Sequence, residues 1–139
     1  MALMPKRVKY RKWQRMRIRG NATRGNRVQF GDYGLMALDR GWITAQQIEA
    51  GRIAGNHFLA HEGKIWIRVF PHRSITSTPA ETRMGKGKGE VDKWVAVIRP
   101  GTIIYEIGGV PEDFARQAMN RMAHKFPLSV RMVKRGGWR

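Results

Sequence analysis

Two strands are predicted by the stretch Trp94-Val95-Ala96-Val97-Ile98-Arg99-Pro100-Gly101-Thr102-Ile103-Ile104-Tyr105-Glu106-Ile107. Both of its halves are rich in β-branched and aromatic residues, which are enriched in strands. Between them stands Pro100-Gly101, the pair preferred at the centre of a type II turn. The stretch therefore predicts two consecutive strands, 94–98 and 102–107, joined as a hairpin.

A helix is predicted upstream of this stretch, from Thr44 to about Leu59. Thr44 and Gln47 have the spacing of a capping box, and an apolar periodicity follows them. Gly51 and Gly55 lie on the apolar face, although each costs roughly 1 kcal/mol relative to alanine in a helix. We therefore expect a neighbouring element, a sheet, to pack closely against both glycines.

A second helix is predicted to begin with Pro111 at its first position and to end before Pro127. Further strands are predicted at residues 28–38, 64–70, 74–78 and 128–133. The predicted fold class is α+β: a single-domain sandwich of antiparallel or mixed β-sheet with two packed helices and an extended basic N-terminal arm. The predicted segments are the arm (1–27), the domain (28–133) with a flexible loop (81–90), and a basic tail (134–139).

The arm carries ten cations and no Asp or Glu. A core cannot hold so many unpaired cations, so the arm must stay in water or lie against a polyanion. Two aromatic residues stand among the cations, and aromatic rings can stack on bases. We expect the arm to be disordered in the free protein and ordered on RNA. The predicted RNA-binding residues are Lys6, Arg7, Lys9, Tyr10, Arg11, Lys12, Trp13, Arg15, Arg17, Arg19, Arg24 and Arg27.

The charge of the whole chain also favours a nucleic-acid partner. The net charge is +17, of which the arm supplies ten and the rest of the chain seven. No apolar stretch approaches the roughly 20 residues needed to span a bilayer, and the arm is too poor in apolar residues to form an interfacial helix. The absence of cysteine fits a reducing cytosol. The arm is interrupted by glycine and lacks the serines and amphipathic period of an organellar transit peptide.

The loop alternates glycine with lysine, which forbids regular structure and places cations on a flexible backbone. It is not a Walker loop, because Lys88 is followed by Gly89 and then by a strand rather than by Ser or Thr and a helix. Two interpretations remain: a solvated hairpin tip, or a mobile finger whose cations reach phosphates. The finger would consist of Arg83, Met84, Gly85, Lys86, Gly87, Lys88 and Gly89.

Catalytic and metal-binding patterns are weak, and we predict neither catalytic residues, nor a metal site, nor a cofactor. His57 and His61 are four residues apart, but they fall where the first helix ends. Glu81 and Glu90 flank the loop and, with a histidine, could serve a small basic ribonuclease as an acid–base pair. That enzyme and a free-standing RNA chaperone are the alternatives to a structural RNA-binding protein.

Five segments resemble the bacterial family of large-subunit ribosomal proteins numbered sixteen. The resemblance is collinear and covers nearly the whole chain. Its segments are Met4-Pro5-Lys6-Arg7-Val8-Lys9-Tyr10-Arg11-Lys12, Phe30-Gly31-Asp32-Tyr33-Gly34-Leu35, Ile43-Thr44-Ala45-Gln46-Gln47-Ile48-Glu49-Ala50, Lys64-Ile65-Trp66-Ile67-Arg68-Val69-Phe70-Pro71 and Arg83-Met84-Gly85-Lys86-Gly87-Lys88-Gly89.

The resemblance implies an α+β sandwich embedded in 23S ribosomal RNA and joined to the large subunit late in assembly. It further implies that the arm threads into ribosomal RNA and that the loop points towards A-site and P-site transfer RNA. The implied partners are these RNAs and neighbouring large-subunit proteins, in a cytoplasmic rather than an organellar ribosome. A membrane, a small-molecule substrate and a homo-oligomer are not implied.

The chain also departs from the resemblance at several positions. Gly51, Gly55 and Asn56 replace stronger helix formers, which leaves the length of the first helix open. Residues 136–139 have no counterpart with a known role.

Overall fold

The computed structural model describes residues 3–136 of the chain. This part contains two antiparallel sheets and two helices. The predicted α+β class is confirmed. In chain order the elements are β1 (Tyr33–Ala37), β2 (Gly41–Thr44), α1 (Ala45–Leu59), β3 (Lys64–Ile67), β4 (Arg73–Ser77), β5 (Glu90–Ile98), β6 (Ile103–Gly108), α2 (Glu112–Ala123) and β7 (Val130–Lys134).

The larger sheet has the strand order β3-β6-β1-β7 and the smaller sheet has the order β2-β5-β4. In the larger sheet Leu35 of β1 pairs with Tyr105 of β6, and in the smaller one Ile43 of β2 pairs with Ala96 of β5. All four side chains belong to one buried cluster that also contains Met119 of α2. The core therefore lies where both sheets and the helices meet.

The predicted hairpin across Pro100-Gly101 is wrong. β5 pairs with β2 and β4, whereas β6 pairs with β1 and β3, so the turn carries the chain from one sheet to the other. The turn itself follows the prediction: the Thr102 N–H donates to the Arg99 carbonyl at 3.1 Å, and Gly101 has a φ of 96°. Gly101 also donates to the Ala37 carbonyl at 2.8 Å, which ties the crossover to the end of β1.

The capping box that predicted α1 is present. The Gln47 N–H donates to Thr44 Oγ1 at 3.2 Å, and the Thr44 N–H donates to Gln47 Oε1 at 3.0 Å. The helix continues to Leu59, as predicted, and ends at Ala60 in the left-handed conformation. The glycines and Asn56 therefore do not shorten it.

The glycines of α1 are required by close packing, and both of them face the larger sheet, as expected. A Cβ at Gly51 would lie 2.5 Å from the Tyr105 hydroxyl of β6. A Cβ at Gly55 would lie 2.7 Å from Met122 Sδ of α2 and 2.9 Å from Ile65 Cδ1 of β3. α1 thus packs against the larger sheet at both glycines, and against α2 as well at Gly55.

α2 ends at Ala123, ahead of Pro127 as predicted, but Pro111 is its N-cap rather than its first residue. Glu112 in the first turn accepts hydrogen bonds from Lys134 at 2.9 Å and from Arg116 at 3.2 Å. These bonds, that of Lys134 first, lower the pKa of the Glu112 carboxyl. The contact with Lys134 joins the start of α2 to the end of β7.

Several strand bounds differ from those predicted. The segment 28–38 contains only the short β1, and β2 was not predicted because four residues give too little alternation to read. The glycines of segment 28–38 do mark close approaches, since a Cβ at Gly34 would lie 2.6 Å from Val28 Cγ2. β3 is shorter than predicted, and β5 begins four residues earlier, at Glu90.

Candidate nucleic-acid interface

The described part of the arm, residues 3–27, forms neither a helix nor a strand. It lies along the edge strand β4 of the smaller sheet, where Ser74 Oγ donates a hydrogen bond to the Arg11 carbonyl. Arg15 donates to the Thr76 carbonyl at 3.4 Å, and its guanidinium lies 5.7 Å from the Trp42 ring centroid. These contacts hold the arm mainly through polar and cation–π interactions and leave its cations exposed.

The two aromatic residues of the arm have different surroundings. Trp13 makes an edge contact with His72 at 6.4 Å between ring centroids, and the Arg73 guanidinium lies 5.5 Å from its ring. Tyr10 is 70% exposed and has only the Lys9 ammonium, 5.7 Å away, over its ring. The Tyr10 ring is therefore the more accessible of the two for stacking on a base.

The loop is exposed from Glu81 to Lys88 and has no regular structure before β5 begins at Glu90. Gly85 and Gly87 have φ values of 86° and 89°, which favour glycine over any other residue. Nothing lies within 4 Å of the Cβ position of either glycine, so the loop tip projects into open space. This geometry agrees with both interpretations of the loop that the sequence left open.

The base of the loop is joined to the arm by two reciprocal hydrogen bonds. Lys12 Nζ donates to the Lys88 carbonyl at 3.1 Å, and Lys88 Nζ donates to the Trp13 carbonyl. The sequence predicted two separate basic segments, whereas the structure brings them together as one surface. No local pattern could have indicated this contact, because the partners are 75 and 76 residues apart.

The end of the arm is fixed to the larger sheet. The Ala22 N–H donates to the Pro100 carbonyl at 2.9 Å, and the Ile103 N–H donates to the Gly25 carbonyl at 2.8 Å. Asn26 then donates from its side chain to the Ala22 carbonyl at 3.4 Å. The position at which the arm leaves the domain is therefore set by the crossover between the two sheets.

A buried carboxylate, Glu106, completes this junction. It is fully buried in β6 and accepts hydrogen bonds from the backbone N–H groups of Gln29 and Phe30. Its ion-pair partner is Arg68, at 3.2 Å, and Arg68 also donates to the Arg27 carbonyl at 3.2 Å. Because a buried charge needs a partner, Glu106 and Arg68 hold the last residues of the arm in place. This pair was not predicted from the sequence, although an acidic residue within an apolar strand, as at Glu106, indicates a buried carboxylate that needs a partner.

The ten cations of the arm are exposed, and the ion pairs found within residues 3–136 involve none of them. Arg83, Lys86 and Lys88 of the loop are exposed as well. The part of the arm that lies along β4, together with the loop, thus presents unneutralised positive charge at one edge of the smaller sheet. Of the predicted tail, Lys134 belongs to β7, and residues 137–139 lie outside the described residues.

Other kinds of site find little support in the described residues. Residues 3–136 contain no group of three or more His, Asp or Glu side chains placed to hold a metal ion. No helix in this part of the chain has the length and apolar character to cross a bilayer.

Comparison with known proteins identifies the family of the chain. The family described as ribosomal protein L16p/L10e matches residues 5–133. A protein of Rhodopirellula baltica named large ribosomal subunit protein uL16 is 62% identical over 135 residues, which cover 97% of this chain and 98% of that protein. A protein of the same name from Akkermansia muciniphila is 58% identical over 137 residues, which cover 99% and 98%. The chain therefore belongs to the ribosomal protein L16p/L10e family.

Proposed function

We propose that this protein is a structural component of the large ribosomal subunit that binds 23S ribosomal RNA through its arm. The observation that carries the proposal is the set of exposed arm cations, none of which has an ion-pair partner within residues 3–136. Phosphate groups of RNA are the ligands that such a segment favours, because each contact releases counterions. The family relationship supports the proposal that the protein binds this RNA within the ribosome.

We further propose that the loop contacts A-site transfer RNA, and P-site transfer RNA when both sites are filled. The support is the open position of its tip: Met84 is 100% exposed, and Arg83 and Lys86 stand beside it. A tip that bears cations and is tethered at both ends can reach a ligand that arrives only after the subunit is assembled. Neighbouring large-subunit proteins and a cytoplasmic ribosome complete the proposed setting.

The relatives are named as ribosomal proteins and not as enzymes, so the ribonuclease alternative with Glu81 or Glu90 is not adopted. The free-standing chaperone is separated from the proposal by sedimentation. A ribosomal component should remain with large-subunit particles at high salt, whereas a chaperone should be released.

The proposed RNA contact predicts a specific effect of four arm cations. Replacement of Lys9, Arg11, Lys12 and Arg15 by alanine should weaken binding to 23S ribosomal RNA and leave the melting temperature nearly unchanged, since exposed cations contribute little to folding. The slope of log affinity against log salt should become shallower by up to about three. The measurement is a salt titration of binding by filter retention or fluorescence anisotropy.

A matched control replaces four exposed cations outside the arm and the loop, namely Arg40, Arg99, Lys125 and Arg131, by alanine. This variant has the same net charge as the arm variant. If both variants change the slope equally, the arm is not the binding element and only total charge matters. An unchanged slope in the arm variant would overturn the proposal directly.

A further inference from the structure

Exposed Phe30 and half-buried Trp66 form an aromatic stack on the face of the larger sheet that points away from the helices. Trp66 pairs with Glu106 in β3 and β6, and Glu106 pairs with Gly34 of β1, so all three positions share a face. Their neighbours in the same strands, such as Tyr105, face the core. The two rings are 6.4 Å apart between centroids with an interplanar angle of 23°, and Phe30 is 57% exposed. We call this pair the stacking platform.

Glycines hold the platform flat against the sheet. A Cβ at Gly108 would lie 3.1 Å from Trp66 Cζ3, and a Cβ at Gly31 would lie 3.0 Å from the same atom. The Trp66 ring therefore rests on two positions that carry no side chain. This ring stacks on that of Phe30, which stays 57% exposed although the Arg68 guanidinium also lies over it.

The buried ion pair also contacts the platform, because the Arg68 guanidinium lies over the Phe30 ring. The Arg68 guanidinium lies 5.1 Å from the Phe30 ring centroid while it pairs with Glu106 at 3.2 Å. The backbone N–H of Phe30 also donates to Glu106 at 3.2 Å. Phe30 is thus held at its backbone and at its ring, so that little conformational entropy remains to be lost when a ligand binds.

A basic hollow of about 330 Å³ is lined in part by Arg27 and Val28, which precede Phe30 in the chain by three and two residues. Lys134 is already paired with Glu112, so the guanidinium groups of Arg27 and Arg135 are the cations available in it. The nearest acid along the chain, Asp32, accepts a hydrogen bond from the Gly109 N–H at 3.4 Å. The hollow is lined by Arg27, Val28, Lys134, Arg135 and Gly136.

We propose that the platform binds one unpaired nucleotide of RNA, whose base stacks on Phe30 and whose phosphate lies in the hollow near Arg27 and Arg135. An exposed flat ring next to guanidinium groups suits a nucleotide, because the ring meets the π-face of the base and the cations meet the phosphate. An RNA strand bound along the arm would lead to this position, since Arg24 and Arg27 precede Phe30 in the chain. The inference rests on the proposed function and adds to it a site on the larger sheet, on the face that points away from the core.

The test measures affinity for two probes: a 12-nucleotide oligouridylate and an abasic ribose-phosphate oligomer of the same length. Phe30→Leu keeps an apolar side chain but removes the ring, and should bind the oligouridylate about fivefold or more weakly. Binding of the abasic oligomer should not change. Phe30→Tyr should restore binding to the wild-type value, and Leu38→Ala, at another exposed apolar position, should have no effect.

Suppose that Phe30→Leu binds both probes like the wild-type protein, while the arm variant binds both more weakly. The proposal that the platform binds a nucleotide is then wrong, and the proposed function stands. If the wild-type protein binds neither probe, the platform site is wrong, and the proposed function is decided by the salt titration with 23S ribosomal RNA. Photo-crosslinking of the wild-type protein to 4-thiouridine RNA does not depend on the folding of a variant. Crosslinks at Phe30 or Trp66 would support the site, and crosslinks confined to the arm would overturn it.

Discussion

At the scale of single residues, the contact between Gly51 and Tyr105 determines how closely α1 approaches the larger sheet. The Tyr105 hydroxyl donates to the Ile48 carbonyl of α1, and burial raises the pKa of that hydroxyl well above its usual range. The hydroxyl occupies the space that a Cβ at Gly51 would need. A residue that weakens a helix by propensity is therefore retained for packing.

Gly51→Ala should consequently destabilise the protein, although alanine is normally favoured over glycine in a helix by roughly 1 kcal/mol. The added methyl group would overpack the contact, at a cost of about 1–3 kcal/mol. Tyr105→Phe alone should cost about 1 kcal/mol through loss of the hydrogen bond. In the Tyr105→Phe background the cost of Gly51→Ala should fall, since the hydroxyl oxygen is gone. The measurement is a double-mutant cycle by denaturant unfolding.

Gly55→Ala provides the control for this cycle. Its new Cβ would meet Met122 and the end of the Ile65 side chain, and the flexible Met122 side chain can move aside. We expect a smaller destabilisation than at Gly51 and no dependence on Tyr105→Phe. A Gly51→Ala variant that is more stable than the wild-type protein would show that the Tyr105 contact is looser than the structure indicates.

At the scale of elements, features set by neighbouring residues were predicted well, whereas the pairing of strands distant in the chain was not. The capping box at Thr44 predicted the start of α1, because both partners lie within three residues. The turn at Pro100-Gly101 was predicted for the same reason, but the hairpin was not formed, since a strand pattern does not specify which strand pairs with it.

The same distinction holds for the candidate interface. Exposure of the arm and loop cations follows from their charge, and the structure agrees with it. The contact between Lys12 and Lys88, the buried pair of Glu106 and Arg68, and the stack on Phe30 all join residues far apart in the chain. Composition and spacing cannot specify such partners.

The arm is predicted to be mobile in the free protein despite its contacts with β4. Between Lys6 and Arg19 the hydrogen bonds to β4 and to Lys88 of the loop each use a side chain, and the only backbone groups that the arm supplies are the carbonyl groups of Arg11 and Trp13. Such contacts do not offset the chain entropy of ordering a segment of this length. In nitrogen-15 relaxation measurements, we expect order parameters below about 0.6 for the arm and near 0.85 for β4.

Addition of ribosomal RNA should raise the order parameters of the arm to those of the sheet. Ser74→Ala removes the hydroxyl that holds Arg11 and serves as a check on the docked state. If the arm of the free wild-type protein is as rigid as β4, and Ser74→Ala releases it, the arm is ordered before RNA binds.

At the scale of the whole molecule, positive charge is divided between one part that is fixed to the domain and one that projects from it. The end of the arm is fixed at the crossover between the sheets and at Glu106. The loop is attached to the arm at Lys88, but its tip from Arg83 to Gly87 stands free. This arrangement fits the proposal that the arm holds ribosomal RNA and that the loop tip contacts transfer RNA.

The two roles can be tested separately, because Lys88 belongs to the contact with the arm, whereas Arg83 and Lys86 belong to the tip. Changing Arg83, Lys86 and Lys88 together to alanine should still give 70S ribosomes with this protein at full stoichiometry, but with weaker binding of A-site transfer RNA or slower elongation. The double change at Arg83 and Lys86 should reproduce that defect in transfer RNA binding, since it spares the arm. Lys88→Ala alone should cause only a small defect in transfer RNA binding. It should instead loosen the arm around Trp13. Quantitative mass spectrometry of purified ribosomes measures the stoichiometry, and filter binding measures the transfer RNA affinity.

Gly85→Ala then tests the backbone apart from the charge. Its φ of 86° is strained for alanine, so the tip should change shape while it keeps every cation. A defect in transfer RNA binding with normal stoichiometry would show that the shape of the tip matters as well as its charge. If the double change at Arg83 and Lys86 instead keeps the protein out of the large subunit, the tip is an assembly contact to ribosomal RNA. The same basic surface would then serve assembly alone, and the contact with transfer RNA would have to be made by another part of the ribosome.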